Sequence, residues 1–379
     1  MVDLVGQYEA LKSEIQSGFN EVLSTASFIN GPAVKQFQTA LEAYLGVKHV
    51  IPCANGTDAL QIAMMGLGLR PGDEVITADF TFASTVEVIA LLGLTPVLVD
   101  VNADDFTIDV AAIERAITPK TKAIVPVHLF GQCAQMDAIM DLAETHGLFV
   151  IEDNAQAIGA RYHDRSGKRP MAGTIGHVGA TSFFPSKNLG CYGDGGALFT
   201  NDDALAHVLR GIVNHGMYER YHHDVVGVNS RLDSLQAVVL NAKLSRLNEY
   251  SAKRQEAARK YNEALAHLSG VETPTTVSDC QGICSQCTCH VFHQYTLKID
   301  NNRRDGLAAH LTAKGIPYGI YYPIPLHKQK AYRDQRYKEE DFKVTNSLCQ
   351  SVISLPMHTE LTDDQIARIT DEIVAYLNT

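Results

Sequence analysis

The sequence predicts an α/β protein with a large, mainly parallel sheet flanked by helices, followed by a smaller α/β unit. Three observations carry this. Residues 48 to 200 alternate short apolar runs with helical patterns, as successive strand–helix units do. The strand-like runs are almost continuously apolar, as expected when both faces of a sheet are covered. From Ser230 to about Leu268 a charged helical stretch intervenes, and smaller strand and helix patterns follow it.

In chain order, "KHVIPCA" reads as a strand and "TDALQIAMMGLG" as a helix. "DEVITAD", "TPVLVDV", "TKAIVPVHLFG" and "LFVIEDNA" read as further strands. "FASTVEVIALLG", "DVAAIERAI" and "MDAIMDLAETHG" are the helices between them. The helical connector, with a break expected near Asn248, divides the chain. Residues 1–248 form the large unit with an N-terminal segment, and residues 249–379 the small one. In the latter, "VFHQYTLKI" and "YGIYYPI" read as strands and "RDGLAAHLTAKG" as a helix. Thr362 and Gln365 fit a capping box at the start of the last helix.

A length of 379 residues exceeds what one core usually serves, in keeping with two units. A net charge of -11 without a basic run argues against nucleic acid or an anionic membrane as the main partner. The first residues, "MVDLVGQYEALKSEIQ", carry charge throughout, so neither a secretory signal nor a membrane span is expected, and a cytoplasmic location is. Cys280, Cys284, Cys287 and Cys289 cluster densely enough for zinc or an iron–sulfur centre. Their spacing lacks the paired form of zinc ribbons, so they read as loop thiols and no metal is expected.

Ligands of such sheets bind beyond the carboxyl ends of the strands. Gly56 and Thr57 lie there, where a strand gives way to a helix and free N–H groups can hold an anion. They would equally serve as turn and cap residues. Asp153 ends an apolar strand, where a carboxylate can pair with a protonated ring nitrogen or simply cap a turn. Gln156 can donate to a phenolate-type oxygen. Phe82 can stack on a ring or belong to the core. Ser182 can reach a phosphate or bond to backbone. Lys187 sits in "SFFPSKNLG" among apolar neighbours, where desolvation favours the neutral, nucleophilic amine. Taken together, these residues supply what pyridoxal 5'-phosphate requires: a phosphate cradle, a partner for the pyridine nitrogen, a stacking face and an amine for the aldehyde. Once displaced from the aldehyde, Lys187 can act as the general base.

The motifs "CANGTDALQ", "PGDEVIT", "VIEDNAQA", "SFFPSKNLGCYGDGGALFTND", "RYHHDVVGVNSRLDSLQA" and "YPIPLHKQ" occur in an order that resembles the DegT/DnrJ/EryC1/StrS aminotransferases of nucleotide sugars. The resemblance runs through essentially the whole chain. It implies the type I, aspartate aminotransferase-like fold, with Lys187 carrying the cofactor, Asp153 on its ring nitrogen and Gln156 beside its ring oxygen. Gly56, Thr57, Ser182 and Asn229 match the family's phosphate residues. The family forms homodimers in which the Asn229 equivalent completes the partner's site. L-Glutamate is the implied amino donor and a keto-sugar nucleotide the acceptor. Within the family the chain is most similar to enzymes acting on UDP-2-acetamido-2-deoxy-3-oxo-glucuronate, whose 3-amino product enters O-antigen and related polysaccharides. Arg231 is then expected to meet the sugar carboxylate, and Tyr321, Tyr322 and His327 to face the sugar. Those relatives carry His in place of Tyr321, and a phenol cannot supply that imidazole's positive charge. The alternatives are amination at C3 or C4 of a UDP- or dTDP-linked 6-deoxy keto-sugar, and a regulatory protein that binds cofactor or metal without catalysis.

Overall fold

The apolar runs of the first two hundred residues assemble into one seven-stranded sheet. The computed structural model describes residues 1–276, 288–300 and 303–378. Cys280, Cys284 and Cys287 lie outside the described residues, so the reading of that cluster stays with the sequence.

Two helices open the chain, α1 (Leu4–Thr25) and α2 (Pro32–Leu45). The strand–helix series follows as β1 (His49–Cys53), α3 (Gly56–Gly66), β2 (Glu74–Ala78), α4 (Ser84–Leu91), β3 (Thr95–Val99), α5 (Val110–Ala116), β4 (Thr121–Val125), α6 (Met136–His146) and β5 (Phe149–Asp153). It continues as β6 (Val178–Ser182), β7 (Gly196–Thr200) and α7 (Asp203–Ile212). A short hairpin, β8 (Met217–Glu219) and β9 (His222–His223), precedes the helices α8 (Ser234–Leu244) and α9 (Leu247–Leu265). The remainder is β10 (Val271–Glu272), β11 (Tyr295–Ile299), α10 (Arg304–Ala313), α11 (Lys343–Ser351), β12 (Val352–Leu355) and α12 (Asp363–Leu377).

Strand order in the large sheet is β1-β7-β6-β5-β4-β2-β3. β2 through β6 pair in parallel, whereas β7 runs antiparallel to both β6 and β1. The sequence does not single out β7, and the reason for its direction is local. A parallel return needs a crossover, usually a helix. Residues 183–195 contain none, so the chain turns straight back. That turn lies at the carboxyl end of β6 and carries Lys187.

Two apolar layers cover the sheet. Residues of α5 and α6, including Ile113 and Ile139, pack on one face, and residues of α3 and α7, including Ile62 and Leu209, on the other. The second sheet, β10-β11-β12, shares a core with α9, α10 and α12. The connector breaks at Ser245 and Arg246, just before the expected Asn248. Leu348, Cys349 and Val352 join the core of the large sheet, so this later part of the chain packs against it. The capping box of α12 forms, with Thr362 and Gln365 exchanging bonds of 3.0 and 3.2 Å.

One expected strand is absent. Residues 318–324 form only a single bridge, Gly319 to Ser354. Pro317, Pro323 and Pro325 withhold donors, which a ladder cannot tolerate at such density. The segment is instead latched at its far end. The backbone N–H of His327 donates to Asp79 Oδ1 at 2.7 Å, and its Nδ1 meets Oδ2 at 2.6 Å. The imidazole also stacks on Phe342 at 4.2 Å. His327 is thus held by Asp79 and Phe342, while its Nε2 is buried without a hydrogen-bond partner. Replacing His327 with alanine leaves the buried Asp79 carboxylate with one close donor. The expected loss, by urea unfolding, is about 3 kcal/mol, the scale for breaking a buried pair; a loss below about 1 kcal/mol would refute the latch.

Candidate active site

The carboxyl ends of the central strands surround a cavity of about 770 Å³. It brings together Gly56, Thr57, Phe82, Asp153, Gln156, Ser182, Lys187, Tyr321 and Tyr322. Asn229, Arg231 and His327 do not line it. A second cavity of about 830 Å³, near Lys298 and Lys343, contains none of the candidate site residues.

At one end stands the first turn of α3. Asn55 caps that helix by accepting from the Asp58 N–H at 2.8 Å. The N–H groups of Gly56 and Thr57 lie at its start, where the helix dipole favours an anion. Ser182 ends β6 directly against this turn. A Cβ on Gly56 would lie 2.6 Å from Ser182 Cβ, so only glycine permits the approach. Asp58 also lines this end, but its Oδ2 already accepts from Ser230 Oγ at 2.6 Å.

At the other end, Asp153 is 4% exposed. Its Oδ2 accepts from Thr85 Oγ1 at 2.8 Å and its Oδ1 from the Ala155 N–H at 3.1 Å. Burial pushes its carboxyl above the usual range, and the Thr85 hydroxyl, the Ala155 N–H and the charge of Lys187 pull it back. Gln156 Oε1 accepts from the Phe130 N–H at 2.8 Å, which turns its Nε2 toward Tyr322, whose hydroxyl it reaches at 3.2 Å. Phe82 is 58% exposed at the mouth, its ring 6.3 Å from that of Tyr322. Lys187 follows Phe184, whose carbonyl accepts its backbone N–H at 2.8 Å. Burial lowers its ammonium to about 8, with Asp153 opposing the shift.

Pyridoxal phosphate fits these groups. Thr81 Oγ1 is buried at the cavity wall without a partner, as a ligand site leaves such an atom. Asp153 is a buried carboxylate with only neutral hydrogen-bond partners, and Gly56 keeps an anion cradle clear of side chain.

Sequence reasoning missed several contributors. Thr85 lies in the first turn of α4, and nothing in its spacing marks it as the partner of Asp153. Phe130 has a positive φ of 57°, and only that turn aims its N–H at Gln156. His293 enters the cavity from the small unit, its Nδ1 3.3 Å from Asn188 Oδ1. Asn229 is exposed and bridges to Asn214, and Arg231 is half-buried away from the cavity. Among the described residues no cluster of metal-ligating side chains occurs, and no helix is long and apolar enough to cross a membrane.

Comparison with known proteins matches residues 9–374 to the model of the DegT/DnrJ/EryC1/StrS aminotransferase family. The UDP-2-acetamido-2-deoxy-3-oxo-D-glucuronate aminotransferase of Pseudomonas aeruginosa is 47% identical over 360 residues, 95% of either chain. A UDP-N-acetyl-3-dehydro-alpha-D-glucosamine 3-aminotransferase of Acidithiobacillus ferrooxidans is 45% identical, covering 98% of this chain and 96% of its own. The crystal structure of a DegT DnrJ EryC1 StrS aminotransferase from Brucella abortus superposes with a TM-score of 0.91 at 41% identity, over 100% of this chain and 99% of that one.

Two outcomes follow from the geometry. In cofactor-free protein, amine modification of Lys187 should show a midpoint near pH 8, reactive above and protected as ammonium below. Asp153→Asn removes the charge that raises this value, so the midpoint should fall; a midpoint at the ordinary lysine value of 10.5 would contradict the burial argument. Gly56→Ala should weaken pyridoxal phosphate binding roughly tenfold or more in an absorbance titration, because Ser182 must move away from the cradle.

Proposed function

Because the chain belongs to the DegT/DnrJ/EryC1/StrS aminotransferase family, we propose that it moves the amino group of L-glutamate onto UDP-2-acetamido-2-deoxy-3-oxo-glucuronate. It is a pyridoxal-phosphate-dependent sugar aminotransferase of the type I fold. The product of the proposed reaction is a 3-amino sugar acid for O-antigen or a related surface polysaccharide, made in the cytoplasm. The observation that carries the chemistry is the meeting, in one cavity, of a Lys187 amine lowered to about 8 with the buried Asp153 carboxylate. The 47% identity to the Pseudomonas enzyme supports the choice of sugar.

Bound in this cavity, the cofactor supplies an electron sink for negative charge on the carbon beside the transferred nitrogen. The chain's own residues do the rest. Asp153 holds the ring nitrogen protonated by charge. Gln156 Nε2 offers a donor to the ring oxygen, and Phe82 covers one face. The N–H groups of Gly56 and Thr57 and the hydroxyl of Ser182 hold the phosphate. Lys187, neutral for much of the time near pH 8, accepts a proton at Nζ and returns it.

The working form proposed is a homodimer. Asn229 and Arg231 follow the β8–β9 hairpin, around which Tyr221 is 75% and Val226 84% exposed. Such apolar exposure suits a surface that another subunit covers. Asn229 then completes the partner's phosphate site, and Arg231 meets the sugar carboxylate with its paired donors. Tyr321 and Tyr322 face the sugar from this chain.

A second reading keeps the enzyme and exchanges the uronate for a sugar without a carboxylate, either UDP-linked 3-keto-N-acetylglucosamine or a 6-deoxy keto-sugar on UDP or dTDP. One observation favours it: Lys187 is the one lysine or arginine among the lining residues, against Asp58, Asp153 and Asp194. The test is an absorbance titration of the loaded protein. L-Glutamate should abolish the visible band and the 3-keto uronate restore it, and Lys187→Ala should abolish the cycle. Arg231→Ala should raise KM for the uronate roughly tenfold or more, the scale of a charged hydrogen bond, while a neutral 3-keto sugar is handled within about twofold. Recovery with the neutral sugar alone would establish the second reading.

A further inference from the structure

Glu152 and Asp153 are consecutive on β5, so their side chains point to opposite faces of the sheet. Asp153 faces the cavity. Glu152 faces away, is 0% exposed, and has no part in the chemistry described above. Its Oε1 accepts from the N–H groups of Ile175 and Gly176, both at 2.6 Å. Its Oε2 accepts from the Gly173 N–H at 2.8 Å and meets His128 Nε2 at 2.7 Å. Four donors fill the four lone-pair positions of a carboxylate.

His128 has its tautomer set by its neighbours. Its Nδ1 accepts the Ala134 N–H at 3.2 Å, so Nε2 carries the proton that goes to Glu152. The His128 N–H in turn donates to the Asp153 carbonyl at 3.0 Å. Two positions on, the Phe130 N–H holds Gln156 Oε1. The turn bearing Gly173, Ile175 and Gly176 leads directly into β6, which ends at Ser182.

We infer that Glu152 and His128 are positioning residues for the cofactor: from the far face of β5 they hold the loop that orients Gln156 and the turn that delivers Ser182. This rests on the placement of Gln156 and Ser182 against pyridoxal phosphate in the reading above. Glu152→Gln is a sharp probe, because the amide NH₂ must face two donors at whichever oxygen position it takes. His128→Leu removes one donor to Glu152 and the acceptor of the Ala134 N–H. His128→Gln can still donate to Glu152 through its own amide.

Cofactor affinity is read by absorbance titration with pyridoxal phosphate, together with the pH midpoint of the visible band. Amide exchange of residues 128–134 and 171–176 is measured in the cofactor-free protein. His128→Leu and Glu152→Gln should each weaken binding roughly tenfold, move the midpoint and speed exchange in both segments, with β11 unchanged. His128→Gln should stay within about twofold of the parent. Gln156→Ala should add little to His128→Leu, since the two act in series. If Glu152→Gln does not fold, the two His128 variants decide the matter alone. Parent-like affinity and midpoint in His128→Leu would overturn the inference while leaving the aminotransferase reading intact. A parent that binds no pyridoxal phosphate would overturn both.

Discussion

A carboxylate buried at the end of a parallel strand demands compensation, and Asp153 receives it from neutral donors alone. Thr85 and the Ala155 N–H lower its burden without cancelling its charge. No ion pair joins it to Lys187, although the two charges act on each other across the cavity. A direct pair would have restored both groups toward their ordinary states. Held apart, the acid still lacks a cation and the ammonium gives up its proton more readily than an ordinary lysine. The cavity is thus shaped for a ligand that brings a cationic ring at one point and an electrophilic carbon at another.

This arrangement depends on topology more than on local sequence. β5 delivers Asp153 and β6 delivers Ser182 because parallel strands end on the same side of the sheet. Lys187 arrives there because no crossover helix separates β6 from β7. The turn is then pinned from beneath, where Phe183 meets Phe37 of α2 edge-on at 5.3 Å. The lysine is presented by a packed element rather than by a loose loop, which is what a group that must return to one point requires.

Much of this was legible in the sequence. The alternation of buried runs and helical patterns determines parallel strands, and Gly56 and Asp153 fall at strand ends by counting alone, whereas β6, which ends at Ser182 and leads to Lys187, is not among the strands read from the sequence. What was not legible depends on three-dimensional return paths. β7 is short and follows glycines, so its pairing is visible only once β1 and β6 flank it. Residues 318–324 alternate like a strand, but prolines deny them a ladder. His327 lies in a motif that suggests the sugar, and nothing in that motif signals its bond to Asp79, 248 positions away. Thr85, Phe130 and His293 act through side-chain or backbone directions that no spacing encodes.

The charge balance of the cavity carries the argument one step further. Its lining brings three carboxylates and one lysine, while the donor and acceptor proposed for it carry carboxylates and phosphates. A chain acting alone would repel the molecules it is built to use, since the α3 terminus answers only one phosphate. In the proposed dimer the missing positive charge enters from the partner subunit. Arg231 is suited to supply it: it lies near the exposed hairpin, two residues from Asn229, which is exposed and does not line its own subunit's cavity. In the dimer proposed above, the second subunit belongs to the electrostatics of the site rather than to stability alone, and the proposed substrate is chosen where two chains meet.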